Sequence, residues 1–220
     1  MKNPWTKLQK NSPYILREDL NAIKEFNKKA KKEHKIKHNI LPQPFIGSPK
    51  TAKVILLSLN PGYSPKDKYA EDHVKGFKQA NLQSYNFKNK FAFYLLDDRF
   101  KNTSAYNWWY KHLKEVIKVW GIKRLGKELL CIEFFPYHSL RFKYSRKLKT
   151  LSQDFTLWLV KQAMLKNQHI VIMRSARLWH SQVKGIKVYK HKTILLNPQN
   201  PCVTPSNMVH GRFKAVFQSK

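Results

Sequence analysis

The hydrophobic pattern of the chain consists of four short apolar runs, separated by longer stretches in which apolar residues recur with helical spacing. The runs cover residues 54–59, 129–135, 170–173 and 193–196. Each run is continuously apolar rather than alternating, which is typical of strands that are buried on both faces of a parallel sheet. The pattern therefore predicts an α/β protein with a mostly parallel four-stranded sheet.

Two of the intervening segments have a clear helical pattern. Residues 104–120 place aromatic and aliphatic side chains on one face, with Ser104 as a candidate N-cap and Gly121 just past the end. Residues 152–166 show the same pattern and begin at Ser152. Helices that alternate with buried strands predict a three-layer α/β/α sandwich.

The segment before the first strand is basic and amphipathic over residues 16–37. Such a helix can lie on an anionic membrane, but a helix docked on its own domain explains the pattern more simply. We predict a single domain over residues 1–220 with a basic helical N-terminal extension over 1–44. The apolar runs are too short to cross a bilayer, and the first residues are not typical of a signal peptide. We expect a cytoplasmic, monomeric protein without membrane contact.

The residues that follow the four predicted strands are polar and turn-forming. Ligands of open parallel sheets bind beyond the carboxyl ends of the strands, so these segments are the first place to look for a site. They are residues 60–63, 136–139, 174–177 and 197–201. Two of them carry Asn-Pro, at Asn60 and Asn197, which requires an extended Asn backbone and a sharp departure from the strand. Asn-Pro is also an ordinary turn dipeptide, but two at equivalent strand ends favour a shared site.

The chain is strongly basic. It has 43 Lys and Arg against 13 Asp and Glu, a formal net charge of +30, and residues 155–220 carry no acidic side chain. Self-repulsion of this size is relieved by a polyanion, and nucleic acid is the usual one. Lysine-rich composition of the whole genome and an anionic membrane surface are the alternatives. A second basic run, 140–150, is interleaved with Phe142 and Tyr144, a composition that suits phosphate contacts and base stacking.

The two cysteines, Cys131 and Cys202, form neither a disulfide framework nor a CxxC metal motif. We therefore expect no metal and no cofactor. A metal-dependent nuclease would need clustered carboxylates, and Asp97, Asp98 and Glu133 are too few and too scattered for that.

The strand ends resemble those of the uracil-DNA glycosylase superfamily. Residues 44–62, which end in Asn60-Pro61-Gly62, are similar to the first motif of that superfamily in its mismatch-specific thymine/uracil branch. Residues 195–201 are similar to the second motif, again in the version with Asn-Pro. The two matches cover about thirty residues, and the segment 63–103 has no counterpart in the family pattern.

The resemblance implies a uracil-DNA glycosylase-like fold and an enzyme that flips a base out of DNA and cleaves its N-glycosidic bond. Asn60 maps onto the catalytic Asn that orients water toward the sugar C1′. His138 is a candidate donor to the departing base, although a loop histidine without a role is the alternative. Tyr63, Glu133 and Phe135 are the candidate base-binding residues.

The resemblance also implies contacts with the nucleic-acid backbone. The loop after the last strand would press on the duplex and hold the base extrahelical. Phosphates would meet the basic residues after the third strand, although solvation or a surface ion pair explains each of these equally well. The implied nucleic-acid-binding residues are Arg174, Ser175, Arg177, Asn197, Pro198, Gln199 and Asn200.

The sequence departs from the family pattern in two places. Glu133, three residues before Pro136, stands where some members have an Asn that binds the uracil edge. An ionised carboxylate only accepts hydrogen bonds, so we hypothesise that Glu133 selects a base with an amino donor, such as cytosine; pairing with a lysine is the alternative. The aromatic platform expected some dozen residues beyond Asn60 is also missing; His73 lies near that place, and Tyr63 and Phe77 are other options. Trp108, which points away from the apolar stripe of its helix, is a separate open candidate for ligand contact.

Two functions therefore remain open at this stage. The first is a DNA glycosylase-like hydrolase. The second is a catalytically inactive nucleic-acid-binding protein of the same fold. Replacement of Asn60 discriminates between them, because an enzyme would not tolerate it.

Overall fold

The computed structural model describes residues 1–145 and 148–218 and contains one five-stranded sheet. Its strands are β1 (Phe45–Gly47), β2 (Val54–Ser58), β3 (Leu129–Glu133), β4 (His169–Ile172) and β5 (Lys192–Ile194). The strand order is β1-β3-β2-β4-β5, and every pair is parallel except β1 with β3. The α/β class and the mostly parallel sheet are thus confirmed. Arg146 and Lys147 of the predicted basic run lie outside the described residues.

The predicted number of four strands is wrong, because β1 was missed. This strand has three residues, and its Phe45 and Gly47 pair with Ile132 and Leu130 of β3. Pro44 and Gly47 bound a segment too short to show a pattern, so its strand conformation depends on the partner strand. Gly47 has φ 114°, and a Cβ there would lie 2.3 Å from the carbonyl oxygen of Leu129. This position therefore requires glycine.

Alternate residues of the central strands enter two separate cores. Leu56 of β2 and Cys131 of β3 pack on one face of the sheet together with Leu113 of helix α4 (Ser104–Glu128), and we call this the α4-side core. Ile55 of β2 packs on the other face together with Phe155 of helix α5 (Leu151–Leu165), which we call the α5-side core. This burial on both faces explains the continuous apolar runs, and the two cores are compatible with a three-layer sandwich.

The helices cover both faces of the sheet. Those of the described residues are α1 (Leu20–Lys29), α2 (Pro65–His73), α3 (Phe77–Ser84), α4 (Ser104–Glu128), α5 (Leu151–Leu165), α6 (Ala176–Gln182) and α7 (Arg212–Phe217). Short 3-10 helices span Pro4–Lys7, Arg17–Asp19, Lys32–His34, Tyr94–Leu96, Asp98–Phe100, Ile186–Val188 and Pro205–Asn207. No helix among the described residues is long and apolar enough to span a bilayer.

The two predicted helices are present with small differences at their ends. Helix α4 is capped by the Thr103 side chain, which accepts a hydrogen bond from the Tyr106 amide, rather than by Ser104. It also continues past Gly121, whose φ of 68° breaks the helix without ending the segment. Helix α5 begins one residue earlier than predicted, after Thr150.

The N-terminal segment is part of the domain core. Trp5, Ile15 and Ile23 are buried in the α5-side core. Asp19 is fully buried and accepts hydrogen bonds from the Tyr137 hydroxyl at 2.7 Å and from the Ser152 amide at 3.2 Å. The helix predicted over 16–37 is shorter, because α1 ends at Lys29 and the chain continues through a separate 3-10 turn.

Residues 63–103 pack as a helical layer over the α4-side core. Helix α2 begins with a capping box, in which Ser64 and Asp67 bind each other's backbone amides. Phe77 of α3 and Phe93 and Phe100 further along are buried in the α4-side core. This segment, which the family pattern does not contain, therefore forms one wall above the carboxyl ends of the strands.

Candidate active site

A cavity of about 510 Å³ lies at the carboxyl ends of β2, β3 and β4. The chain leaves β2 toward the α4-side core and leaves β3 and β4 toward the α5-side core, which opens a crevice at the end of β2. Its walls come from residues 58–64, from 138–142, from α2 and from α4. The cavity has the size of a small-molecule site and lies where the parallel-sheet rule places one.

Asn60 lies on this wall with a fixed side-chain orientation. Its Nδ2 donates to the Pro61 carbonyl at 2.8 Å and to the Ser139 hydroxyl at 3.0 Å, and it also faces the Tyr137 carbonyl. Carbonyl oxygens only accept, so the nitrogen must occupy this side of the amide. The Oδ1 atom accepts no hydrogen bond from the described residues. It is therefore free to accept one from a water or ligand.

His138 is buried, and both of its ring nitrogens face backbone carbonyls, Nδ1 that of Gly62 and Nε2 that of Leu41 at 3.1 Å. A neutral imidazole has one N–H, so the ring donates to one of these carbonyls and has no N–H left for a ligand. Burial lowers the pKa of His138, and these two carbonyls together with Asp67 oppose that shift. The ring joins the segment after β2 to residue 41. The structure thus assigns His138 a structural contact and leaves it without a nitrogen to donate to a ligand.

Glu133, at the end of β3, lines the cavity with a buried carboxyl. Its Oε2 has no hydrogen-bond partner, and Oε1 lies 4.0 Å from the Cys131 sulfur. Burial raises the pKa of Glu133 from 4.5 to about 8, while Ser58 and Arg174 oppose the shift. Near neutral pH the carboxyl is therefore mostly protonated. The raised pKa argues against the ionised, accept-only Glu133 of the base-selection hypothesis. No lysine lies within salt-bridge distance of Glu133 among the described residues.

Arg174 follows β4 on the same wall. Its Nε is buried and has no hydrogen-bond partner. Its charge lowers the pKa of Glu133 and, after the larger effect of burial, that of His112 in α4. Arg174 therefore lies within electrostatic reach of both groups and offers an unused donor in the cavity.

Two further carboxyls reach the cavity from α2. Glu71 is buried; its Oε2 accepts from the Leu41 amide at 2.9 Å, and its Oε1 has no partner. Burial raises its pKa from 4.5 to about 7. Asp67 is occupied by hydrogen bonds from the Ser64 amide and from the Ser104 hydroxyl, both at 2.7 Å. Asp67 thus supports the wall, whereas Glu71 keeps an oxygen unused.

The aromatic lining comes mainly from α4. Trp108 is half-buried, lines the cavity and stacks on His112 with ring centroids 3.9 Å apart. Tyr63 also lines the cavity, with Lys37 Nζ 5.3 Å from its ring centroid. Phe135 does not line it, contrary to the prediction. Its ring is buried in the α5-side core and stacks on Phe142, because β3 ends at Glu133 and the alternation of the strand does not continue to Phe135.

The other predicted nucleic-acid-binding residues lie outside the cavity lining. Ser175 adopts a left-handed conformation, with φ 57°, and its carbonyl accepts from the Leu178 amide in the first turn of α6. Arg177 is exposed on that helix. Residues 197–200, the four predicted binding residues of the loop 197–205, are also exposed. They therefore belong to the surface around the site rather than to its interior.

The loop after β5 is nevertheless rigidly held. The Asn207 side chain accepts from the Asn197 amide at 2.6 Å and donates to the carbonyl oxygens of Asn200 and Cys202. Asn197 Oδ1 in turn accepts from the amides of Gln199 and Asn200. The Val203 amide binds the carbonyl of His112, whose ring stacks on Trp108. The loop is thus anchored to the helix that forms the cavity wall.

Sequence reasoning missed Glu71, because it stands in a short segment of mostly charged residues that gives no sign of burial. The readable signals that a helix starts there were the capping box at Ser64 and Pro65 at its first position. Within the described residues, no group of three or more His, Cys, Asp or Glu is arranged to hold a metal ion.

No family model matches the chain, and neither a curated protein nor a solved structure is significantly similar to it. The function of this chain is therefore inferred from the residues and the geometry of the cavity.

Proposed function

We propose that this chain is a DNA glycosylase-like hydrolase, which takes an extrahelical base into the cavity and cleaves its N-glycosidic bond with water. The observation that carries this proposal is the fixed amide of Asn60, whose nitrogen is held by two carbonyls and a hydroxyl while its oxygen stays unused in the cavity. Such an oxygen can accept a hydrogen bond from a water molecule and hold it in position.

The chemistry suits an amide because the transition state resembles an oxocarbenium ion. The nucleophile then needs positioning more than deprotonation by a strong base. Asn60 would direct the water oxygen to C1′, and Trp108, which lines the same cavity from α4, offers an aromatic face for the base. The resemblance of the two Asn-Pro strand ends to the uracil-DNA glycosylase superfamily supports the same function.

The charge distribution suits a polyanionic substrate. The formal net charge of +30 provides attraction to phosphates over much of the surface. Arg177 and the exposed loop 197–200 flank the carboxyl end of the sheet and would contact the strand whose base is bound. The hydrogen bonds of Asn207 hold that loop in place before any substrate binds.

Base release from oligonucleotides tests the proposal. The panel contains uracil, mismatched thymine, hypoxanthine and modified cytosines in duplex and single-stranded DNA, and compares the wild type with Asn60→Ala and with Asn21→Ala, an exposed control on α1. We expect release of at least one base, unchanged in Asn21→Ala and reduced about 100-fold or more in Asn60→Ala. Absence of release from every substrate, with salt-sensitive binding that Asn60→Ala leaves intact, would refute the hydrolase and favour the inactive nucleic-acid-binding protein.

A further inference from the structure

One wall of the cavity carries two buried polar atoms without partners. Oε2 of Glu133 and Nε of Arg174 each lack a hydrogen bond, and both residues line the cavity. Buried polar atoms of native proteins are nearly always paired, so two orphans on one wall mark a place that a ligand completes. The charge of Arg174 acts on Glu133, yet the two side chains form no ion pair among the described residues.

The surroundings of Glu133 leave one of its oxygens to a ligand. The Cys131 sulfur lies 4.0 Å from Oε1, the Ser58 side chain also hydrogen-bonds the carboxyl, and Oε2 has no partner, so we place the acid proton on Oε2. The other titratable groups of the cavity are Asp67, Glu71 and His138, and His112 lies close to Arg174. Burial keeps the carboxyl of Glu133 protonated near neutral pH. Oε2–H and Nε–H are then two donors on the same wall.

We propose that un-ionised Glu133 and Arg174 form the pair of hydrogen-bond donors that stabilises the negative charge on the departing base. This inference rests on the proposed function and names a role that His138 cannot fill, because both of its ring nitrogens face backbone carbonyls and its single N–H is used there. A carboxylic acid kept neutral by an apolar site is an effective donor to a developing oxyanion.

The step balances without a further reactant. The water held by Asn60 forms a bond from its oxygen to C1′ as the C1′–N bond breaks, and the electron pair of that bond moves onto the base nitrogen. The charge spreads to a ring carbonyl oxygen, where Glu133 and Arg174 donate their hydrogen bonds. The proton lost by the water ends on the departed base. The substrates are therefore bases with a ring carbonyl, such as uracil, thymine or hypoxanthine, and adenine is excluded.

Rates of uracil release between pH 6 and pH 9.5 test the donor pair. Glu133→Gln keeps a donor that cannot ionise, so we expect a rate within a few fold of wild type at pH 7. Above pH 8 the wild-type rate should fall toward about tenfold per pH unit as the carboxyl loses its proton, and the glutamine variant should lack this fall. Glu133→Ala and Arg174→Gln should each lose about 100-fold or more.

Glu71→Gln is the matched control, since it removes the other raised carboxyl of the cavity and should leave the fall above pH 8 in place. Three results would overturn the donor pair. These are a glutamine variant as slow as the alanine variant, a wild-type profile without a Glu133-dependent fall, and release of adenine as fast as that of uracil.

Binding of barbiturate separates this inference from the proposed function. Barbiturate is a pyrimidine that carries negative charge on its carbonyl oxygens at neutral pH, so it resembles the departing base. We expect wild type and Glu133→Gln to bind it more tightly than uracil at pH 7, and Arg174→Gln and Glu133→Ala to lose this preference. If the preference is present but no oligonucleotide is cleaved, Glu133 and Arg174 bind an anionic base, but the hydrolase is refuted and with it their role toward a departing base. If bases are released without dependence on these residues, or if barbiturate is not preferred, the donor pair is refuted.

Discussion

Replacement of Glu133 by glutamine should stabilise the protein by an amount that grows with pH. The carboxyl is buried, no cation pairs with it among the described residues, and one of its oxygens has no partner. An ionised carboxylate in this place is poorly compensated, whereas the amide of glutamine has nearly the same shape and stays neutral.

The magnitude follows from the raised pKa. A carboxyl whose pKa is higher in the folded than in the unfolded state keeps its proton only when folded, so the free energy of unfolding falls as pH rises. With the pKa raised from 4.5 to about 8, the loss begins near pH 4.5 and stops above pH 8. At about 1.4 kcal/mol per pH unit it reaches about 5 kcal/mol. The glutamine variant avoids this loss, which corresponds to a gain of about 10–20 °C in Tm for a chain of this length.

Thermal unfolding at pH 5, 7 and 9 measures the effect, with Glu18→Gln as the control at an exposed position. The Tm of Glu133→Gln should nearly equal that of wild type at pH 5 and exceed it at pH 7 and further at pH 9, while the control should show no such trend. A Tm difference that does not change with pH would refute the buried, unpaired carboxyl from which the prediction is derived.

Further substitutions test other parts of the structure. Glu71→Gln should also raise the free energy of unfolding relative to wild type, by a smaller amount of about 3 kcal/mol above pH 7, since the pKa of Glu71 is raised to about 7. A difference between variant and wild type that is the same at pH 5 and pH 8 would contradict this. Asn207→Ala should cost about 2 kcal/mol or more and speed amide exchange at Asn197, which loses its acceptor; unchanged exchange would show that the loop is held by other contacts. Gly47→Ala should cost about 2 kcal/mol or more in denaturant unfolding, because its Cβ would meet the Leu129 carbonyl oxygen at 2.3 Å.

The central strands could be predicted from the sequence because burial on both faces requires an apolar residue at almost every position. Residues 54–58 and 129–133 are apolar at almost every position, since alternate side chains enter the two cores. The same local logic fails for β1, whose three residues become a strand through pairing with β3. The position of Phe135 was also predicted wrongly. The apolar run extends to residue 135 whereas β3 ends at Glu133, and an unbroken apolar run does not show which face of the sheet a ring will cover.

The sequence predicted where the site lies better than it predicted which residues line it and what they contact. Asn60 and Glu133 could be found because they stand at strand ends, where parallel sheets hold their ligands. The occupation of both nitrogens of His138 depends on Gly62 and Leu41, which are distant in sequence, and no local pattern reports such contacts. Glu71 was missed for the same reason, as its burial depends on packing against the N-terminal segment.

Protonation of the buried carboxyls removes negative charge from the cavity, which would otherwise repel a polyanionic substrate. Three of the 13 acidic residues, Asp67, Glu71 and Glu133, line the cavity together with Arg141 and Arg174. If all three were ionised, their charge would exceed that of the two arginines and oppose phosphates at the point where the substrate must enter. Burial raises the pKa of Glu71 and Glu133 enough that much of this charge is absent near neutral pH. The cavity then offers neutral donors and acceptors to a base while the surrounding lysines and arginines attract the backbone. The burial that lowers the free energy of unfolding as pH rises toward 8 thus also keeps the cavity accessible to a polyanion near neutral pH.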